Sequence, residues 1–530
     1  MVLFENARVF TGEDALISCF SVEGRYFRHT GDSCNHIPHS AERVDLGGRF
    51  VCAGFNDSHM HLLSLGHSLS SAQLAPVSDS LSHMLEGLRV FAQAHPNEPF
   101  IFGRGWNQDD FTDTKRFPNR DDLDAVCADR PCLITRACGH AAVANSAALR
   151  LAGIESKAFD VDGGSIETDA SGRPTGVLTE NAISLVSSLA PRLDRTAIKH
   201  RLLLAMDFVN RMGVTSVQSD DFSSFDLPYE EIIAAYQELK REGRMTVRVT
   251  EQCYLPDIRS LNRFLDAGYK TGWGDEWFRI GPMKLLVDGS LGARTALLRA
   301  PYTDAPETRG IATYTQDGLN ELVLRAHCAG MQIAIHAIGD AAADLVMNAY
   351  EYAQSIAPRS DARHGIVHAQ IMNHEQTARM KALNLHAYIQ SIFLDYDTQI
   401  VYPRIGERAQ EAYPAASLLK QGVTLSNGSD SPVELPNALG GIQCAITRSS
   451  FTRSAQPAYL PEEALTVAQA IVSYTASGAY TSFEEDKKGR IVPGHLADFI
   501  VLDSDPFEIK PEAIHRIRVQ AVYIGGKRIL

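Results

Sequence analysis

The chain has 530 residues, 45% of them hydrophobic and 22% charged, a balance typical of a globular protein and too long for one ordinary core. A formal charge of −14 without a basic stripe argues against a nucleic-acid phosphate surface, and no apolar run approaches the roughly 18 residues that span a bilayer. The expected partner is a small molecule, with neither nucleic acid nor membrane, and a homo-oligomer remains compatible with the composition.

The start, MVLFENARVFTG, lacks the basic residues and apolar stretch of a signal peptide, so a cytoplasmic location is expected. The nine cysteines are scattered and odd in number, with no CxxC pair, which points to reduced thiols rather than a disulfide frame. Cys253, Cys328 and Cys444 lie in apolar surroundings and read as small core residues.

Residues 1–50 alternate over short runs (VLFENARVF, CFSVEG, RYFRHTGD) broken by Gly and Asp, the texture of a small β-unit. Residues 484–530 have the same texture, in GRIVPGHLADFIVLD and IRVQAVYIGGKRIL. Together the two ends predict a composite β-sandwich. The apolar run from residue 51, VCAGFNDSHMHLL, reads as a buried strand ending in His59 and His61. Further strands are expected at 213–220, 245–252, 278–288, 331–337, 364–370, 385–391 and 423–430. Helical periodicity fills 196–212, 229–242, 317–329, 340–356, 374–383 and 414–421 between them. Eight buried strands alternating with helices predict an α/β fold, a distorted (β/α)8 barrel over residues 51–63 and 196–483, in preference to an open doubly wound sheet. Residues 64–195 are far too long for a loop and contain strand-like runs of their own (PFIFGRGW, RPCLITRA), so they read as an inserted subdomain. Its place after a strand end predicts that it covers the catalytic face.

The C-terminal ends of these strands collect His59, His61, Lys284, His336, His368 and Asp430. An HxH pair on extended backbone puts both rings on one side, yet alone it fits a strand cap beside a solvated ring equally well. Neutral imidazoles with a carboxylate suit zinc or a similar first-row ion, and two ions if a bridging group is present. Lys284, within the apolar MKLLV, is the candidate bridge, because a buried amine is neutral, paired or modified; an ion pair with Asp288 would serve as well. Asp430, in SNGSDSPVE, can touch a metal and accept a proton, or cap the next element. His364 and His386 sit at strand starts, the stability face of a barrel.

The ordered set GFNDSHMHLL, MKLLVDGSLGARTA, IAIHAIGDAA, HGIVHAQ, NGSDSPVE and KGRIVPGHLADFIVLD resembles the amidohydrolase superfamily over nearly the whole chain. Within it, FGRGWNQDDF, RACGHAAVANSAAL and PTGVLTENA in the insertion are similar to the amidohydrolase-3 branch, which includes N-substituted formamide deformylases. The resemblance implies two divalent ions, zinc foremost. His59, His61 and Asp430 would hold one, His336 and His368 the other, with a carbamate on Lys284 between them. It also implies hydrolysis of an amide, N-formyl or N-acyl C–N bond in a small molecule. Attack would come from a metal-activated hydroxide, and Asp430 would move the proton. Trp106, His140 and Arg294 are expected to bind substrate, His140 at the carbonyl or its tetrahedral intermediate. The alternatives are a mononuclear deaminase or cyclic-amidine hydrolase of the superfamily, disfavoured because HAIGDAA lacks the HxxE glutamate, and a non-catalytic metal-binding regulator.

Overall fold

Phe50–Ala53 and Phe55–Met60 form one continuous extended run, yet they belong to different sheets. Gly54 lies between them, and a Cβ added there would sit 2.2 Å from the Thr215 Oγ1, so only glycine lets the chain pass so closely. The first barrel strand is therefore Phe55–Met60, not the run from residue 51, because two consecutive buried strands look alike in sequence. The computed structural model describes residues 1–12, 16–34, 37–38, 40–137, 140–154, 159–161, 163–190, 192–225, 227–453 and 457–530. Their contacts divide into two compact units, residues 1–65 with 205–530, and residues 66–204.

In the larger unit the eight barrel strands are β1 (Phe55–Met60), β2 (Val214–Ser219), β3 (Arg248–Tyr254), β4 (Phe278–Leu286), β5 (Ile333–Ala337), β6 (Gly365–His368), β7 (His386–Ile389) and β8 (Thr424–Asn427). They pair in chain order, all parallel, as one sheet. The seam between β8 and β1 is bridged by single bonds: the Asp430 N–H to the His59 carbonyl and the His61 N–H to the Ser431 carbonyl, each 2.8 Å. The sheet is thus a nearly closed, distorted TIM-type barrel. Helices Arg195–Arg211, Tyr229–Arg241, Gln316–Cys328, Asp340–Ile356, His374–Ala382 and Ala415–Lys420 fall within a residue of the expected spans. Among the helices that escaped the periodicity reading are the short Ile258–Asp266, started by an Asp257 capping box, and Ala438–Thr447, buried nearly all round.

The chain ends form two further sheets. One is Tyr26–Gly31, Cys19–Glu23, Val2–Glu5 and Glu42–Asp45, in spatial order. The other combines Arg8–Phe10, Leu16–Ile17 and Phe50–Ala53 with Phe499–Leu502, Val519–Ile524 and Lys527–Arg528 from the far end. They share a core in which Phe4, Phe20 and Phe499 pack ring on ring at 4.9–5.1 Å. Cys19 and Cys34 form a disulfide within this region, against the expectation that all thiols are reduced. Spacing alone does not show which cysteines a sheet brings together. Cys253 and Cys444 are buried as expected, Cys328 is exposed, and Cys138 lies outside the described residues.

Polar contacts seal the opposite mouth of the barrel from the strand C-termini. Gln218 donates to the Gly478 carbonyl at 3.0 Å and Gln332 to the Thr481 carbonyl at 2.9 Å, both on or beside helix Ala476–Thr481. Arg248 grips Asp498 with two bonds of 2.6 and 3.0 Å, joining β3 to the terminal sheets. At this same end His386 is buried between the Thr424 hydroxyl at 2.9 Å and the Ser426 hydroxyl at 2.8 Å. Burial pushes its pKa down to about 3. An unfolded histidine holds its proton to about pH 6.5. Between these values the unfolded chain binds the extra proton, so stability rises with pH and is lost as pH falls through the window. At pH 5 this one site costs about 2 kcal/mol relative to neutral pH. Denaturant unfolding of His386→Gln should show a fall between pH 7.5 and pH 5 smaller than that of the wild type by about that amount.

The unit 66–204 has its own six-stranded sheet: Ala72–Gln73, Ile101–Trp106, Cys132–Arg136, Ala141–Ala144, Pro174–Glu180 and Gly164–Thr168, in spatial order. Helix Leu81–Ala94, capped by the Ser80 hydroxyl, packs Met84 and Leu88 into its core. No helix among the described residues is long and apolar enough to cross a membrane.

Candidate metal centre

Six side chains expected at strand ends meet at the C-terminal mouth of the barrel. His59 ends β1 with Met60, His61 follows it, Lys284 lies in β4, His336 in β5, His368 closes β6, and Asp430 follows β8. Ring centroids are 5.4 Å apart for His59 and His61, 5.7 Å for His59 and His368, and 4.4 Å for His336 and His368. Asp430 Oδ1 lies 3.3 Å from His59 Nε2 and 3.2 Å from His61 Nε2. Ligand atoms of His59, His368 and Asp430 all fall within 4.8 Å of one another, the spacing of groups that can share one ion.

A second layer of polar groups aims the rings. Gln252 Oε1 accepts from His59 Nδ1 at 2.7 Å, the Asp220 carbonyl from His61 Nδ1 at 2.8 Å, and Gln390 Oε1 from His368 Nδ1 at 2.7 Å. An imidazole whose Nδ1–H is engaged keeps its lone pair on Nε2, which is the ligating tautomer. His336 is held the other way round, its Nε2 donating to the Gly289 carbonyl at 3.1 Å, which leaves the lone pair on Nδ1. Sequence reading missed Gln252 and Gln390, because a glutamine in a strand carries no signal of its own. Gln390→Leu should keep the fold and lower metal affinity by roughly 10- to 100-fold, read by competition with a chromogenic chelator.

The electrostatics hold His59 and His368 toward the neutral, ligating form. Burial, helped by Lys284, pushes His59 down to about 4, and burial with His336 holds His368 well below the usual range. For His61 burial also opposes the proton, but Asp430 and Asp220 outweigh it. Burial would raise Asp430, yet the hydrogen bonds from His59 and His61 hold it well below the usual carboxylate range. Lys284 is buried, 3.2 Å from His59 Nε2, and burial lowers its pKa. Its nearest carboxylate is Asp220 Oδ2 at 3.9 Å. Asp288, the partner weighed from sequence, instead accepts the N–H groups of Leu297, Ile338 and Gly339 at 2.8–3.1 Å and lies 3.3 Å from His336. Asp220 Oδ2 is buried without a hydrogen bond. A buried carboxylate oxygen without a hydrogen bond, whose residue also bonds the His61 ring through its carbonyl, fits a divalent cation nearby.

Asp57 is another residue the sequence did not single out. It is buried in β1 and accepts from the Ser429 N–H at 2.9 Å and the Ser429 hydroxyl at 2.5 Å, tying the His59 strand to the loop that carries Asp430. Burial raises its pKa to about 7. Its position two residues before His59 was the available signal.

The three residues expected to bind substrate make contacts within their own units. Trp106 is fully buried in the core of the 66–204 unit, where its Nε1–H bonds the Ile134 carbonyl at 3.2 Å, so packing takes the place of the expected ligand contact. His140 is exposed in that unit, with Nδ1 3.0 Å from Glu180. Arg294, in a left-handed turn beyond β4, forks onto Asp304 at 3.1 and 2.8 Å.

A profile of the amidohydrolase family matches residues 42–530. The Bacillus subtilis (strain 168) protein YtcJ, a candidate amidohydrolase by name, is 33% identical over 492 residues, 92% of this chain and 90% of its own length. The N-substituted formamide deformylase of Arthrobacter pascens is 26% identical over 512 residues, 92% of this chain and 89% of its own. The crystal structure of an uncharacterized metal-dependent hydrolase from Pyrococcus furiosus superposes with a TM-score of 0.79 at 30% identity, covering 96% of this chain and all of that one.

Proposed function

The chain belongs to the amidohydrolase family, and on that premise we propose that it is a metal-dependent hydrolase that cleaves an amide, N-formyl or N-acyl C–N bond of a small molecule. The observation that carries this reading is the convergence of His59, His61, His336, His368, Lys284 and Asp430 at the strand C-termini, three of the rings locked in the ligating tautomer by Gln252, Gln390 and the Asp220 carbonyl. His59, His61 and Asp430 would hold one divalent ion and His336 and His368 a second, zinc being the ion that imidazole and carboxylate donors suit best. Lys284, as a carbamate, would add carboxylate-like donor oxygens to the set. Bound there, the ions would lower the pKa of water and polarise a carbonyl oxygen.

The chain's own residues do the rest. Gln252, Gln390 and the Asp220 carbonyl keep the imidazoles from turning. Asp430, held beside His59 and His61 and partly open to the mouth, accepts the proton given up by the attacking water and passes it to the departing nitrogen, which leaves as an amine. Asp57 keeps the Asp430 loop against β1 through Ser429, so that the carboxylate stays in reach.

Metal stripping supplies the test. Protein dialysed against a strong chelator should lose at least roughly 100-fold of its kcat/KM on N-formyl and N-acyl amines, and recover it with about two equivalents of zinc. Turnover that survives complete metal removal, or a reloaded enzyme that hydrolyses none of these amides, would refute the reading.

A further inference from the structure

A narrow cavity opens beside the metal centre, on the far side of His368. It is lined by His368, Gln390, Ser391, Tyr413 and Arg448, among others, and the space these groups surround, open solvent included, is about 250 Å³. Its tightest part has room for about one water, so a small planar anionic group disturbs it least. Four of its residues, His368, Ala369, Tyr413 and Arg448, have positive φ of 76°, 45°, 57° and 54°. Such backbone costs free energy in non-glycine residues and persists where surrounding structure enforces it.

Arg448 is the residue that needs explaining. It ends helix Ala438–Thr447 and is only 2% exposed. Its N–H bonds the Cys444 carbonyl at 2.9 Å, its carbonyl accepts from Tyr459 at 2.7 Å, and its Nε–H bonds the Tyr459 carbonyl at 3.0 Å. The guanidinium is therefore fixed in place. Yet its Nη2 is buried without any hydrogen-bond partner, and no carboxylate among the described residues forms an ion pair with it. Glu463 influences it only at a distance, since both Glu463 oxygens are occupied by the Ser417 N–H and hydroxyl. Tyr413 offers it nothing either, because its hydroxyl already donates to Asp397 and accepts from Gln370. A buried, immobilised cation without a counter-ion is expensive unless an anion arrives from outside.

We propose that Arg448 binds a carboxylate of the substrate in this cavity, so that the amides hydrolysed at the adjacent centre carry a free carboxylate near the scissile bond. This rests on the hydrolase reading above. A carboxylate suits the donor, since a planar guanidinium meets it with charge-assisted bonds, and it is smaller than a phosphate with its shell of oxygens.

Matched pairs test it. The probes are N-acetylglycine, N-acetyl-β-alanine and N-methylsuccinamate, each against the same compound with its carboxylate converted to carboxamide. The set places the charge on the amine side or the acyl side of the scissile bond. For at least one pair the wild type should prefer the carboxylate by tenfold or more in kcat/KM, mostly through KM. Arg448→Met, with circular dichroism and metal content matched to wild type, should bring that ratio within threefold of unity. Arg448→Lys, which keeps the charge and loses the fork, should fall between, and it decides the question should the methionine variant fail to fold. A wild type indifferent to the charge in every pair, or a preference that survives in the variants, overturns the proposal. Should no pair be hydrolysed, the hydrolase reading fails separately. Calorimetric titration of zinc-loaded wild type then decides on Arg448: binding of N-acetylglycine but not N-acetylglycinamide supports the pocket, and equal or absent binding overturns it.

Discussion

The His59→Ala, His61→Ala double variant is expected to purify with no more than about half the metal of the wild type and to lose at least roughly 10³-fold in kcat/KM, about 4 kcal/mol of transition-state stabilisation. The size follows from position. These two imidazoles are neighbours of Asp430 Oδ1, at 3.3 and 3.2 Å, and alanine at both sites leaves that carboxylate with His368 alone among the donors grouped with it. Two donors hold a first-row ion far more weakly than a full set against dilution and chelators. The variant should keep its fold, because β1 is also held by the β2 ladder and by Asp57. Elemental analysis and thermal unfolding with and without chelator read the two effects independently. Chelator should lower the melting temperature of the wild type more than that of the variant, since a ligand stabilises only a chain that binds it. Full metal content in the double variant would remove His59 and His61 from the centre.

Lys284→Ala should lose activity by a comparable factor and regain part of it in the presence of short carboxylic acids such as acetate or propionate. The argument is electrostatic. An ammonium beside two cations is repelled, and the nearest carboxylate to Lys284, Asp220 at 3.9 Å, does not make a contact ion pair of good geometry. Burial favours the neutral amine. Its lone pair can form a C–N bond to carbon dioxide, releasing one proton and leaving a carbamate whose single negative charge is shared by two oxygens. Removing the side chain leaves a space that a free carboxylate can enter. Carbon-13 spectra of protein equilibrated with labelled bicarbonate should show a carbamate signal that is missing in Lys284→Ala. Absence of that signal in active wild type would rule out the modified lysine, whatever the variant's activity.

Much of this was legible from the order of residues. Seven of the eight barrel strands sit where buried β-branched runs predicted them, because a strand covered on both faces has to be apolar throughout. The ligand-type residues stood out for the converse reason: His, Lys and Asp inside such runs are costly unless they have work to do. What stayed hidden depends on distance in space. Phe50–Ala53 could not be told from a barrel strand, since its partners, Phe499–Leu502, lie at the other end of the chain. Arg448 sits in an unremarkable ITRSS stretch, and only folding shows that no carboxylate among the described residues pairs with it. Trp106 looked like a ligand contact because an aromatic ring with a polar handle serves a core and a pocket equally well.

The strand that carries His59 passes through Gly54 straight into a sheet whose next member is Phe499–Leu502, while the seam of the barrel is closed by Asp430 and Ser431 reaching back to His59 and His61. On the ribosome, therefore, the earliest-made ligands have β2 beside them midway through synthesis but must wait for later segments before the other edge of their strand is covered. A nascent chain stopped short of residue 430 lacks both the carboxylate and the seam, and one stopped before residue 499 leaves the edge of Phe50–Ala53 bare. Ion capture then reports on completed synthesis: an unfinished polypeptide is denied the stabilisation that the ion confers and stays available to the proteases that clear it.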